Sequence, residues 1–150
     1  MLKDIFIDTN IAPKLVNPNC DGYSDYMELV EWLFNDENNG YLLVSQKLLN
    51  EYSSTGNNGV FNALINQLTI SGRLARKESK EISKFKSKFF TKRIINSLNS
   101  NREDWNHIAL IMLSARKLAV SDDKNFREDI INFPRFNAVA KQNPKDLNYK

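Results

Sequence analysis

Apolar positions along the chain fall into two rhythms. Short apolar runs at Ile5–Asp8, Tyr41–Val44, Leu118–Ser121 and Asn137–Ala140 predict strands. Between them the spacing turns helical. Tyr26, Val30 and Leu33 predict a helix over Tyr23–Phe34. Ser45 reads as the N-cap of a short helix through Leu48, Leu49 and Glu51, and Leu64 with Leu68 predicts another over Val60–Leu68. A longer helix is expected from Lys80 to Leu98. It places Ile82, Phe85 and Phe89 on one side, while Lys80, Lys84, Lys88 and Lys92 recur every four residues. Ser100 and Glu103 match a capping box opening a helix to about Arg116, with Ile108, Ile111, Met112 and Ala115 available for burial.

Strand-like and helical segments therefore alternate, and the strands are apolar enough to be covered on both faces. That pattern predicts an α/β fold with a mostly parallel central sheet. Sheets of this kind collect ligands outside the carboxyl ends of their strands. No internal repeat or linker interrupts the 150 residues, which suit one domain. The last stretch, Gln142–Lys150, is polar and reads as a loosely held tail.

Composition narrows the setting. A hydrophobic fraction of 41% and a charged fraction of 26% are ordinary for a soluble globular protein. No apolar run approaches the roughly 20 residues of a membrane span. Asp4 and Asp8 interrupt the apolar stretch near the start, so no signal-peptide pattern is seen. The single cysteine, Cys20, cannot form an internal disulfide, and a reducing, cytoplasmic location is expected. The net charge of +3 is unevenly spread: from Arg73 to Arg93 nine basic residues face only Glu78 and Glu81. Such a stripe suits a polyanion, although a solvated helix face also explains it.

Acids collect where an α/β sheet would place a site. The first strand ends on Asp8, followed by Thr9 and Asn10, and the late strand ends on Ser121, Asp122 and Asp123. Alternation along an extended segment puts Ser121 and Asp123 on one side and turns Asp122 away. Glu51 on its short helix and Asp104 in a first turn can reach the same rim, though a first-turn acid also satisfies the helix dipole without any function. Carboxylates that converge repel one another, and a divalent cation relieves that repulsion. An all-oxygen donor set selects Mg²⁺ or Mn²⁺ over zinc. The sole histidine, His107, has no zinc-ligand spacing with Cys20 and reads as a packed or hydrogen-bonded helix residue.

These residues resemble the motifs of PIN-domain nucleases. Asp8-Thr9-Asn10 after a first strand is similar to that family's opening motif, and Ser45 through Glu51-Tyr52 to its second. Asp104-Trp-Asn-His-Ile-Ala109 resembles the third, an acid opening a helix with small residues downstream, and Ser121-Asp-Asp123-Lys-Asn-Phe126 resembles the fourth. The order and spacing cover nearly the whole chain. The resemblance implies a three-layer α/β/α sandwich and an endoribonuclease dependent on Mg²⁺ or Mn²⁺. Asp8, Asp104 and Asp123 would ligate metal and Glu51 would join them in catalysis. Thr9, Asn10, Ser121 and Asn125 would give polar support. Asn125 departs from the pattern, because many members carry another acid just before the phenylalanine.

In that reading Lys80, Lys84, Lys88, Lys92 and Arg93 hold RNA phosphates, which position without specifying sequence. Trp105 and Phe126 can either stack on a base or pack. The resemblance further implies a toxin of a toxin–antitoxin pair, with a cognate antitoxin protein and a homodimer as partners, away from membranes. Two rivals stand beside it. A catalytically silent domain of the same fold would bind RNA or protein without cleavage. A haloacid-dehalogenase-type phosphohydrolase needs a second Asp two residues after the first, where this chain has Asn10.

Overall fold

The computed structural model describes residues 1–54 and 59–150. Among these residues five strands make one parallel sheet: β1 (Lys3–Ile7), β2 (Gly40–Val44), β3 (Leu74–Arg76), β4 (Leu118–Val120) and β5 (Val139–Lys141), in the order β3-β2-β1-β4-β5. The chain builds outward from β1 to β3 and then restarts on the other side of β1. The order therefore reverses between β1 and β4, the point where such sheets open a crevice. Ile7 pairs with Val120, and the Asp8 amide donates to the Val120 carbonyl at 2.9 Å. Asp8 and Ser121 consequently leave the sheet side by side.

Among the described residues the helices around the sheet are α1 (Tyr23–Phe34), α2 (Gln46–Ser54), α3 (Gly59–Ile70), α4 (Ser79–Phe89), α5 (Lys92–Ser97), α6 (Trp105–Leu113) and α7 (Lys124–Asn132). Helices α1 and α3 pack together, while α4 and α7 both pack on α6. Ile5, Phe6 and Ile7 are all buried, as are Leu42, Leu43 and Val44. Continuous burial is what a strand covered on both faces requires. This is the α/β/α arrangement expected from the sequence, and none of its helices among the described residues is long and apolar enough to cross a membrane.

Several local expectations change. The helix expected over Lys80–Leu98 is two helices, because Phe90 leaves the helical region and the Thr91 side chain caps α5 by accepting from the Ile94 amide at 3.3 Å. Phe85, Phe89, Phe90, Phe133 and Phe136 stack into one aromatic cluster around that break. The capping box at Ser100 does not form. Ser100 instead gives its amide and hydroxyl to the buried carboxylate of Asp129, and a 3-10 turn over Arg102–Asp104 precedes a shorter α6. Strand β3 and helix α7 lie in segments whose polar composition hides them. Residues 142–150 are polar but held: Leu147 and Tyr149 are buried, Tyr149 meets Trp32 edge-on, and Tyr26 donates to the Gln142 carbonyl at 2.7 Å.

Candidate active site

Asp8 follows β1, half-buried, and its Oδ2 accepts a hydrogen bond from Ser121 Oγ at 2.6 Å. Ser121 is itself fully buried and also accepts from the Asp123 amide at 3.1 Å. Asn10 donates to Ser121 Oγ at 3.4 Å and accepts from the Asp122 amide at 3.1 Å. One hydroxyl thus ties the ends of β1 and β4 into a single rim. The Thr9 hydroxyl lies 3.5 Å from Asp8 Oδ1, at the outer limit of a hydrogen bond.

The two neighbouring aspartates diverge after Ser121. Asp122 turns to Lys14 at 3.5 Å and to Gln142, whose side-chain amide donates at 2.7 Å. Asp123 is the N-cap of α7, accepting from the Phe126 amide at 3.2 Å. A capping carboxylate spends one oxygen on the helix and keeps the other free. Asn125, the second residue of α7, is exposed.

Glu51 reaches the rim from α2. Its Oε2 lies 2.5 Å from His107 Nε2 on α6. His107 is buried against Phe6, with ring centroids 5.6 Å apart. Burial alone would raise the Glu51 carboxyl, but the His107 hydrogen bond and charge, together with Lys47, outweigh it and hold the group below its ordinary range. An ionised acceptor requires Nε2 to carry the hydrogen. Nδ1 is then left buried without a hydrogen-bond partner among the described residues. His107 is therefore packed, as its sequence position implied, and also holds a candidate site residue. The clue lay in its spacing, three residues after Asp104 on a helix.

Asp104 is the last residue of the 3-10 turn and the N-cap position of α6, with no side-chain cap hydrogen bond. Burial raises its carboxyl, and the negative charges of Asp8, Asp123 and Glu51 raise it further against the opposing His107. Asp8 is also raised, chiefly by burial, with the Ser121 hydrogen bond and His107 acting against it. Asp104 thus feels Asp8, Glu51 and Asp123, which the fold brings toward it from three other segments. The donor set fits a hard divalent cation in kind, all of it oxygen. Among the described residues, no three acidic, histidine or cysteine side chains already stand as a cation's ligand group.

The remaining expected residues are exposed cations or packed aromatics. Lys80, Lys84, Lys88, Lys92 and Arg93 are exposed on α4 and α5. Phe126 is core, stacked near Phe6, and Trp105 packs beside Phe90. Arg73 leaves the basic stripe altogether: it is buried and donates to the carbonyls of Leu33 and Gly40 at 2.7 Å each.

No protein-family model and no curated protein matches the chain. Among solved structures it is similar to a chain in the crystal structure of VapBC2 from Rickettsia felis bound to a DNA fragment from their promoter. The TM-score is 0.54 at 18% identity, covering 92% of this chain and 97% of that one. At that identity the likeness concerns the fold.

Proposed function

We propose that the chain is a divalent-metal-dependent endoribonuclease of the PIN type. The observation that carries this reading is the shared rim at the carboxyl ends of β1 and β4, where Ser121 holds both Asp8 and the Asp123 amide, and where Asp104, raised chiefly by burial, also feels Asp8, Asp123 and Glu51. Neighbouring carboxylates oppose one another's ionisation, and groups perturbed in this way cluster at functional sites.

Asp8, Asp104 and Asp123 would hold Mg²⁺ or Mn²⁺, with Glu51 fixed beside them by His107. The bound ion would supply Lewis acidity toward water and the scissile phosphodiester. The chain's own part is positional. Ser121 orients the Asp8 carboxylate and Asn10 braces Ser121. His107 fixes Glu51, and α7 fixes Asp123. No side chain is needed as a covalent nucleophile. The exposed row Lys80, Lys84, Lys88, with Lys92 and Arg93, would add a general positive field that raises the local concentration of RNA.

The similar solved structure is described as VapBC2 bound to promoter DNA, and the shared fold supports a toxin of this kind with a protein antitoxin as partner. A small chain of this architecture, acting in the cytoplasm and able to pair with a second copy, fits that role.

The deciding experiment is cleavage of RNA with Mn²⁺ or Mg²⁺ by wild type, Asp8→Asn and Asp123→Asn. Metal-dependent cleavage should disappear with Asp8→Asn and fall strongly with Asp123→Asn. Equal activity in all three proteins would remove the site assignment. RNA binding without metal-dependent cleavage in wild type would favour the catalytically silent reading, which the exposed amide of Asn125 keeps in view.

A further inference from the structure

An acid-lined site repels the polyanion it is meant to cut, so something near it must attract phosphate. The lysine row on α4 is poorly aimed for this. At about 100° per residue, Ile82, Phe85 and Phe89 occupy one arc of roughly 60°, and that arc is the packed face. Lys80 and Lys84 project about 130° or more from its centre, toward solvent. Lys86 lies at the arc's edge, and its ammonium donates to Asn106 Oδ1 at 2.5 Å. Asn106 is two residues past Asp104 on α6.

Two further cations converge on the same place from other elements. Lys47, one helical turn before Glu51 on α2, donates to the Glu103 carbonyl, the peptide immediately before Asp104. Arg102 is exposed in the 3-10 turn that ends at Asp104. Lys86 feels the charges of both Lys47 and Arg102, which, after burial, hold its ammonium below the usual range. Among the described residues none of the three makes an ion pair with an acid. Lys47 and Lys86 are instead satisfied by neutral oxygens, which orient an ammonium without cancelling its charge.

We propose that Lys47, Lys86 and Arg102 form a phosphate-backbone site for single-stranded RNA, bracketing Asp104 and seating the strand against the carboxylates. This rests on the ribonuclease reading and names where its substrate is gripped. Lys86 feels two like charges, although Lys47 also faces Glu51, and a phosphodiester chain would relieve that repulsion as a divalent cation would relieve the acids. The two charged zones adjoin through the backbone of residues 103–106. A ligand anionic along its length therefore meets the cations directly. Mobile side-chain carboxylates on a protein segment would match the cations equally well in charge. They would not gain from the adjoining acid cluster, which favours a phosphate able to share a divalent cation with it.

The test is anisotropy of a labelled single-stranded RNA in EDTA across a salt series, followed by cleavage with Mn²⁺. Lys47→Gln, Lys86→Gln and Arg102→Gln should each lower the slope of log K against log salt by about 0.7, and the triple variant by about 2. Lys86→Arg should restore the slope that Lys86→Gln loses. Failure of that charge-keeping change to restore binding would make the loss a packing effect and overturn the proposal. So would a triple variant that binds and cleaves like a functional wild type, which would leave the nuclease reading intact. A wild type that neither binds nor cleaves RNA would sink both. An Asp/Glu-rich peptide competing as strongly as RNA of equal charge would assign the cluster to a protein segment instead.

Discussion

Ser121 Oγ donates to Asp8 Oδ2 at 2.6 Å, joining residues 113 positions apart in the chain. This bond crosses the point where the strand order reverses, and through it the end of β4 steadies an acid delivered by β1. Ser121→Ala removes the main interaction that opposes burial at Asp8, so the Asp8 carboxyl should rise further. A carboxyl titration by NMR should show Asp8 moving to higher pH in the variant, and metal affinity at neutral pH should fall. An unmoved Asp8 titration would mean that the hydroxyl does not orient this acid.

The Glu51 carboxyl is depressed in the folded chain relative to its ordinary value of 4.5. A depressed acid contributes stability that is complete above the unfolded value and lost as pH falls through the folded one. The stability advantage of wild type over Glu51→Gln should therefore be present at neutral pH and shrink below about pH 4.5. Urea unfolding of both proteins across that range checks it. An advantage that stayed constant down to pH 3 would contradict the His107–Glu51 assignment.

Asp104 behaves in the opposite sense. Its carboxyl is raised above 3.8 by burial and by its acidic neighbours. The folded state then holds a proton the unfolded state has released, so stability falls as pH rises through this interval. Metal-free Asp104→Asn should melt higher than wild type at neutral pH, with the gap closing below about pH 3.8. Added Mn²⁺ should stabilise wild type more than the variant, because a ligand stabilises only the state that binds it. A variant melting lower at neutral pH would show that Asp104 is not under repulsion.

Asp129 lies in no motif and stands out only once the chain is folded. It is buried on α7 and accepts from the amides of Asn99 and Ser100 at 2.8 and 2.7 Å, and from the Ser100 hydroxyl. Those residues lead directly into the turn carrying Arg102 and Asp104. Asp129→Asn keeps the shape but forfeits charge-assisted bonds, at a cost of about 1.5–3 kcal/mol. Chemical denaturation should show that loss, and cleavage should weaken with it as Asp104 loses its anchor. Unchanged stability would mean that the loop holds itself.

Strand and helix assignments that rested on local periodicity were readable from the chain. Helix α1 begins and ends where Tyr23–Phe34 predicts, and Ser45 caps α2 through the Leu48 amide at 3.1 Å. Those features arise within a few residues of one another. The Lys80–Leu98 expectation missed a break at which Phe85, Phe89 and Phe90 meet Phe133 and Phe136, which arrive from the far end of the chain. Ser100 was misread for the same reason: Asp129 competes for its hydroxyl from 29 residues away.

The sequence by itself determined that acids would end the first and late strands and that the sheet between them would be parallel and buried. Residue order also carried the resemblance to a nuclease family. Only the tertiary structure decided which groups face each other. It paired Glu51 with the buried His107, turned Asp122 toward Lys14 and spent Asp123 on capping α7. It also withdrew Arg73 into the core and brought Lys47, Lys86 and Arg102 together beside Asp104. Periodicity is a property of neighbouring residues, whereas electrostatic partnership depends on distances through space that only the folded chain defines.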